Sequence, residues 1–192
     1  MAVLSLTANA QKARHLPGDI TVQPMIGVSE GFLSGKYNNF SFRSDDPRTG
    51  LTIGAEGEYF TNTRNLSLTA GLLYTQEGWM AKGTGPQTTK INFINVPLMV
   101  NYYILKGLAV KLGMQLGFRV SATEGNESVG DLYESFSLGL PIGFSYEFKS
   151  PITLDLRYIP ALTTINKDAN SDWKMYTDVV TITIGYKFEI VN

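Results

Sequence analysis

The chemistry open to this chain is bounded by a short set of residues. It has one histidine, His15, and no cysteine in 192 residues. Without a thiol there is no disulfide scaffold, zinc–thiolate site or cysteine nucleophile. A serine hydrolase needs a histidine within reach of its serine to take the proton. His15 stands in a leader ahead of the first regular element and reads as a solvated tail residue. Glu56 and Glu58 share one strand face, but an i, i+2 pair that can meet Lys111 or Lys187 reads as ion pairing rather than acid–base catalysis. Asp45 and Asp46, with Asp168 and Asp172, offer oxygen ligands in two polar stretches, but neither group has the spacing of a calcium loop. Gly83-Thr84-Gly85-Pro86 is a turn, since no Gly-Lys-Ser/Thr follows, and Asn126-Glu127-Ser128 is a sequon of a kind common by chance. The expectation is a non-enzymatic protein with no cofactor and no bound metal.

Binding chemistry is better supplied. Between the first two regular stretches, Phe32, Tyr37, Phe40 and Phe42 alternate with Lys36, Arg43 and Arg48. That mixture suits contact with a carbohydrate, a lipid headgroup or a protein, if these residues stand in a surface loop. The plainer reading is that the aromatics extend the flanking strands. A second set, Glu56, Glu58, Lys111, Arg119, Glu147, Asp155, Arg157 and Lys187, recurs on one face of successive strands. It holds four acids and four bases. The formal net charge of -1, with no Lys/Arg patch, excludes a nucleic-acid binder of the usual basic kind.

The elements that carry these residues are strands. From Ile20 onward apolar and polar residues alternate with period two. Val180, Ile182, Ile184, Tyr186 and Phe188 oppose Thr181, Thr183, Gly185 and Lys187. Leu108, Val110, Leu112, Met114, Leu116 and Phe118 oppose Lys111, Gly113, Gln115, Gly117 and Arg119. Such runs exceed the five or six residues of an average strand and suit tilted strands of about nine to eleven residues that cross a bilayer. Eight are predicted, over 20–29, 49–60, 66–79, 91–104, 107–121, 132–148, 151–160 and 174–189. The connections alternate between long polar loops (30–48, 80–90, 122–131, 161–173) and tight turns (61–65, 105–107, 149–151). With an even strand count both chain ends fall on the short-turn side. No run of eighteen apolar residues occurs, so no transmembrane helix is expected. The stretch 1–10, apolar and ending Ala8-Asn9-Ala10, reads as the remnant of a signal peptide; 11–19 is a leader and 20–192 the barrel domain.

Alternation does not say which face points outward. A lipocalin-like barrel would turn Leu112, Leu140 and Ile182 inward around an apolar ligand, whereas a membrane barrel turns them to lipid. Aromatics cluster at both strand ends: Tyr74, Phe118, Phe136 and Tyr158 near the long loops, and Tyr59, Tyr102, Phe148 and Phe188 near the turns. Two such girdles fit the two interfaces of a bilayer. The balanced acids and bases then point into a narrow interior, where pairing is required. The predicted fold is therefore all-β, an eight-stranded antiparallel up-and-down transmembrane β-barrel.

Several segments also resemble a known family. Gly71-Leu-Leu-Tyr74-Thr-Gln, Asn95-Val-Pro97-Leu98-Met-Val-Asn-Tyr102-Tyr103, Leu112-Gly-Met-Gln-Leu-Gly117-Phe118, Leu154-Asp155-Leu156-Arg157-Tyr158 and Ile184-Gly185-Tyr186-Lys187-Phe188 look like the outer membrane protein beta-barrel domain, or porin-family small barrels. The resemblance covers the chain from about Ile20. It implies an eight-stranded barrel of the OmpA/OmpX general type in a Gram-negative outer membrane, reached through the periplasm and inserted by the barrel-assembly machinery. Its surroundings would be outer-membrane lipid and an extracellular ligand met through the long loops. The chain departs from the usual pattern in continuing past Phe188 with Glu189, Ile190, Val191 and Asn192, although Ile190 keeps the apolar phase. A structural or surface-binding role with a side-chain-filled lumen is expected. A small diffusion porin and a soluble periplasmic carrier are the alternatives.

Overall fold

The computed structural model describes residues 15–37, 40–43, 47–63, 65–82, 86–125, 127–167 and 173–191. The strands are β1 (Ile20–Tyr37), β2 (Phe40–Arg43), β3 (Arg48–Phe60), β4 (Leu66–Lys82), β5 (Pro86–Leu105), β6 (Leu108–Glu124), β7 (Glu127–Ser128), β8 (Phe136–Gly139), β9 (Ile142–Glu147), β10 (Ile152–Ile159), β11 (Trp173–Tyr186) and β12 (Phe188–Val191). Each pairs antiparallel with its neighbours in the order β11-β10-β9-β6-β5-β4-β3-β1, and β11 pairs back onto β1. The sheet is thus a closed ring of eight staves, because β8 and β9 share one stave and β12 prolongs another. Closure is what a lipid environment demands, since an open edge would leave amide and carbonyl groups without partners in hydrocarbon.

The wall is inside out relative to a soluble barrel. Leu112 and Ile184 are 52% and 57% exposed, whereas Lys111 is 4% exposed. Leu140 and Ile182 also face outward, so the apolar cavity of a lipocalin-like carrier is not formed. Seven of the eight girdle aromatics are exposed, and Tyr74 is half-buried. Phe118 and Phe136 stack edge-to-face across adjacent strands at one rim, while Tyr146 and Phe148, two positions apart along one stave, meet edge-to-face at the other. Pairing such rings across strands stabilises the rim beyond the area they cover. The first and last strands meet at the short-turn rim, where Ile20 lies opposite Tyr59 and Val191. The apolar phase also continues there, with Ile190 exposed on β12 after Phe188.

Four sequence expectations need correction. The stretch 30–48 is not one long loop, because β1 runs to Tyr37 and turns back through β2, with Tyr37 opposite Phe40 and Ser34 opposite Arg43. In the same way β4 and β5 extend to Lys82 and from Pro86, so 80–90 is mostly strand, and β6 runs to Glu124 before folding onto β7. Above the membrane the outward face meets water instead of lipid, so the apolar phase that marks that face fades while the backbone ladder continues. The stretch 132–148 is also not one strand. A 3₁₀ turn spans Gly130–Leu132, the strand begins at Phe136, and it breaks at Leu140-Pro141. Pro141 has no N–H to give to the ladder, yet its carbonyl accepts from Gly113 N at 3.1 Å and the stave remains one piece.

Leu112→Arg and Ile184→Arg place a cation on the lipid face near its middle. Each is expected to cost about 2–4 kcal/mol of folding into vesicles, read from urea titrations with the unboiled gel shift as the folded signal; a loss no larger than at an exposed loop residue would reverse the faces.

Candidate functional site: the filled lumen

Inward side chains divide the lumen into layers. The middle layer is a cluster of ion pairs. Glu56 on β3 receives both guanidinium nitrogens of Arg157 on β10, one of them at 2.7 Å, and Lys111 Nζ of β6 at 3.2 Å. Asp155 closes the ring, accepting from Lys111 at 2.7 Å and from Arg157 Nε at 2.5 Å. These four residues come from three staves that are not neighbours, so the cluster spans the lumen. All four are at most 4% exposed. Two glycines make room for it. A Cβ at Gly71 would lie 2.6 Å from Glu56 Cγ, and one at Gly143 would lie 3.1 Å from Arg157 Cγ. Each carboxylate meets two cations and each cation two carboxylates, which is the arrangement that offsets desolvation.

Nearer the turns a second cluster forms. Lys187 Nζ donates to Glu58 at 2.8 Å and to Glu147 at 3.1 Å. Glu58 also accepts from Ser67, from Asn101 at 2.9 Å and from Tyr103 Oη at 2.7 Å. Sequence reasoning missed Ser67, Asn101 and Tyr103, although each sits in the inward phase of β4 or β5. His15 then closes the mouth. Far from a solvated tail residue, its side chain is 9% exposed, with Nδ1 2.7 Å from Glu189 and Nε2 3.3 Å from Glu147. Its ring stacks on Phe60 at 4.7 Å. The leader can fold back because Gly18 takes φ +98° and its N–H reaches the Phe60 carbonyl at 2.8 Å. No local pattern could signal this contact between residues 174 positions apart.

Arg119 does not join either cluster. It lies near the long-loop rim, donating to the carbonyls of Glu134 at 3.0 Å and Tyr133 at 3.3 Å. Alternation gave it the right face but not its height in the barrel. On the loop side of the charges sits an apolar layer of Leu33, Trp79, Ile91, Phe93, Ala122 and Ile165, with Tyr133 edge-on to Trp79 at 5.9 Å. Among the described residues, a space of about 10 Å³ lies beside the lower cluster and one of about 20 Å³ beneath the apolar layer. Of the loop candidates, Phe32 lies half-buried on β1, while Tyr37, Phe40, Phe42 and Arg43 are placed by backbone pairing in the β1–β2 hairpin. Asp45, Asp46, Asp168, Asp172, Asn126 and 83–85 lie outside the described residues, as does 1–10. Both ring nitrogens of His15 face carboxylates, an arrangement of ion pairing rather than of nucleophile activation.

Residues 9–167 match the family model described as outer membrane protein beta-barrel domain. The chain belongs to this family. Its place is the outer membrane, in agreement with a closed barrel whose outer face is apolar. Solved structures of outer membrane barrel domains share the fold at low identity. Neisserial surface protein A aligns at 16% identity and TM-score 0.53, over 88% of this chain and 97% of that one. Ail of Yersinia pestis, in complex with the heparin analogue sucrose octasulfate, aligns at 15% and 0.51 over 90% and 100%. OprG from Pseudomonas aeruginosa aligns at 18% and 0.50 over 94% and 99%. No curated protein matches the sequence significantly.

Two outcomes follow for this barrel domain. Arg157→Met leaves two buried carboxylates short of a partner and is expected to cost about 3–5 kcal/mol in urea unfolding, while the additional change Glu56→Leu recovers part of that loss; recovery of none would mean the two side chains do not act as a pair. The second concerns His15. Burial works against its charge, but hydrogen bonds and attraction from Glu147, with help from Glu189, hold its pKa above the ordinary 6.5. A folded-state pKa above the unfolded one gives stability that is full below about pH 6.5 and is lost as pH rises through the folded value. The melting midpoint of the wild type relative to His15→Gln is therefore expected to fall as pH is raised above 6.5, and a flat difference would deny the link.

Proposed function

We propose that the barrel is a closed, non-enzymatic pedestal that displays a binding surface at its long-loop end. The carrying observation is the lumen. It is crossed by the Glu56–Arg157–Asp155–Lys111 cluster, with apolar side chains above and His15 and Phe60 below, and the spaces beside these layers among the described residues are about 10 and 20 Å³. A hydrated sugar needs far more room, so diffusion through the middle would require breaking buried ion pairs.

Strand length supports the surface role. β1, β4, β5 and β6 have 18, 17, 20 and 17 residues, against the roughly 9–11 that cross a bilayer. The surplus forms paired hairpins that stand above the membrane and present Phe32, Tyr37, Phe40, Phe42 and Arg43 on a paired backbone rather than on a free loop. Preordered backbone lowers the entropy cost of binding an extracellular ligand. Outer-membrane lipid is the surrounding solvent of the wall, and the barrel-assembly machinery is its route of insertion.

Protein reconstituted in planar bilayers or sugar-loaded liposomes is expected to give neither stepwise conductance nor swelling above empty membranes. Sustained conductance steps in the wild type would overturn the closed-pedestal reading and favour a diffusion pore.

A further inference from the structure

The interior ion pairs leave one carboxylate over. Glu56 and Asp155 meet Lys111 and Arg157, and Glu58 and Glu147 meet Lys187, with His15 against Glu147. Glu77, on the inward face of β4, is 6% exposed. No Lys, Arg or His among the described residues lies within ion-pair distance of its carboxylate. Arg48 donates at 2.8 Å to the Glu77 backbone carbonyl instead. The carboxylate receives one long hydrogen bond, from Asn95 Nδ2 at 3.5 Å. A charge in this position costs several kcal/mol unless something cancels it.

What surrounds Glu77 points to the ligand. It lines the cavity of about 20 Å³ together with Asn95, Gln115 and Thr177, a volume that admits one water-sized sphere. Thr177 is likewise 6% exposed, and its Oγ1 has no hydrogen-bond partner among the described residues. One carboxylate, one free hydroxyl and two side-chain amides therefore converge on a space for a single small species. All the donors are oxygens once the Asn95 amide makes a half-turn, which suits a hard cation and not a thiophilic or imidazole-seeking metal. Calcium and magnesium usually take more than one carboxylate or keep several waters. A single negative charge in a buried pocket matches a single positive one.

We propose that the cavity beside Glu77 binds one alkali cation, Na⁺ or K⁺, held by the Glu77 carboxylate and the neutral oxygens of Thr177, Gln115 and Asn95. The site is built from wall residues of four staves, so the ion also ties those staves together. It stands apart from the surface-binding reading and does not depend on it.

The test compares wild type, Glu77→Gln and Thr177→Val, each refolded in detergent, in NaCl, KCl and choline chloride of equal ionic strength at pH 7 and pH 9. Melting is followed by the gel shift. Na⁺ or K⁺ is expected to raise the wild-type midpoint above choline by about 2–4 °C, the larger of the two increments naming the ion. Glu77→Gln is expected to show none of this increment, and Thr177→Val a smaller one. Equal wild-type midpoints in all three salts, or an undiminished increment in Glu77→Gln, would sink the proposal. So would a wild-type midpoint that follows pH but ignores the cation, because the charge would then be cancelled by a proton. Should Glu77→Gln fail to refold, an undiminished increment in Thr177→Val overturns the site as drawn, and a reduced one supports it.

Discussion

The Glu56 carboxylate, held across the lumen by Arg157 from one side and Lys111 from another, is the contact on which the rest of the barrel is arranged. A soluble barrel is drawn together by burying apolar side chains inside it. Here the apolar side chains face acyl chains in the folded state, so that force does not act on the lumen. The interior must be held by pairs that are strong because they are dry, and each partner is costly if left alone. Asp155 supplies the fourth member and makes the cluster neutral. Gly71 and Gly143 matter for the same reason, since a side chain at either would intrude on the bridge.

The two ends of the lumen solve the problem of water differently. At the loop end Phe93, Ile91, Trp79 and Leu33 form an ordinary apolar core inside the wall, and Ile165 enters it from the irregular segment before β11. Above the bilayer, burial from water is again available as a driving force. At the turn end the cap is aromatic and charged, with Phe60 and Tyr103 stacked at 5.8 Å and His15 laid over Phe60. Carboxylates of Glu147 and Glu189 grip the imidazole, so residues 15–19 become part of the barrel wall's lower cap.

These constraints also separate the layers by how many staves each ties together. A change in the middle of the lumen disturbs several staves at once. The prolonged hairpins of β1–β2 and β4–β5 lie beyond the ion-paired layer and carry their own backbone hydrogen bonds.

How much of this was legible in the chain follows from the range of each force. Period-two alternation in β6, β10 and β11 states that each strand has two faces, and the aromatic girdles state which face meets lipid, because both are local consequences of one strand crossing one bilayer. The inward placement of Glu56, Lys111, Asp155 and Arg157 follows from the same phase. Alternation says nothing about height or partner. Arg119 shares the face but binds loop carbonyls at the rim, and Glu77, Asn101 and Tyr103 gain their roles only when β3, β4 and β5 are set in register. The break at Pro141 and the prolonged hairpins required the ladder itself, since backbone pairing above the membrane leaves no hydropathy trace. The sequence alone therefore determined a closed membrane barrel with a polar, charge-balanced interior. Only the tertiary structure decided which interior charges pair, which carboxylate is left over, and that His15 caps one end, because those depend on contacts between residues many positions apart.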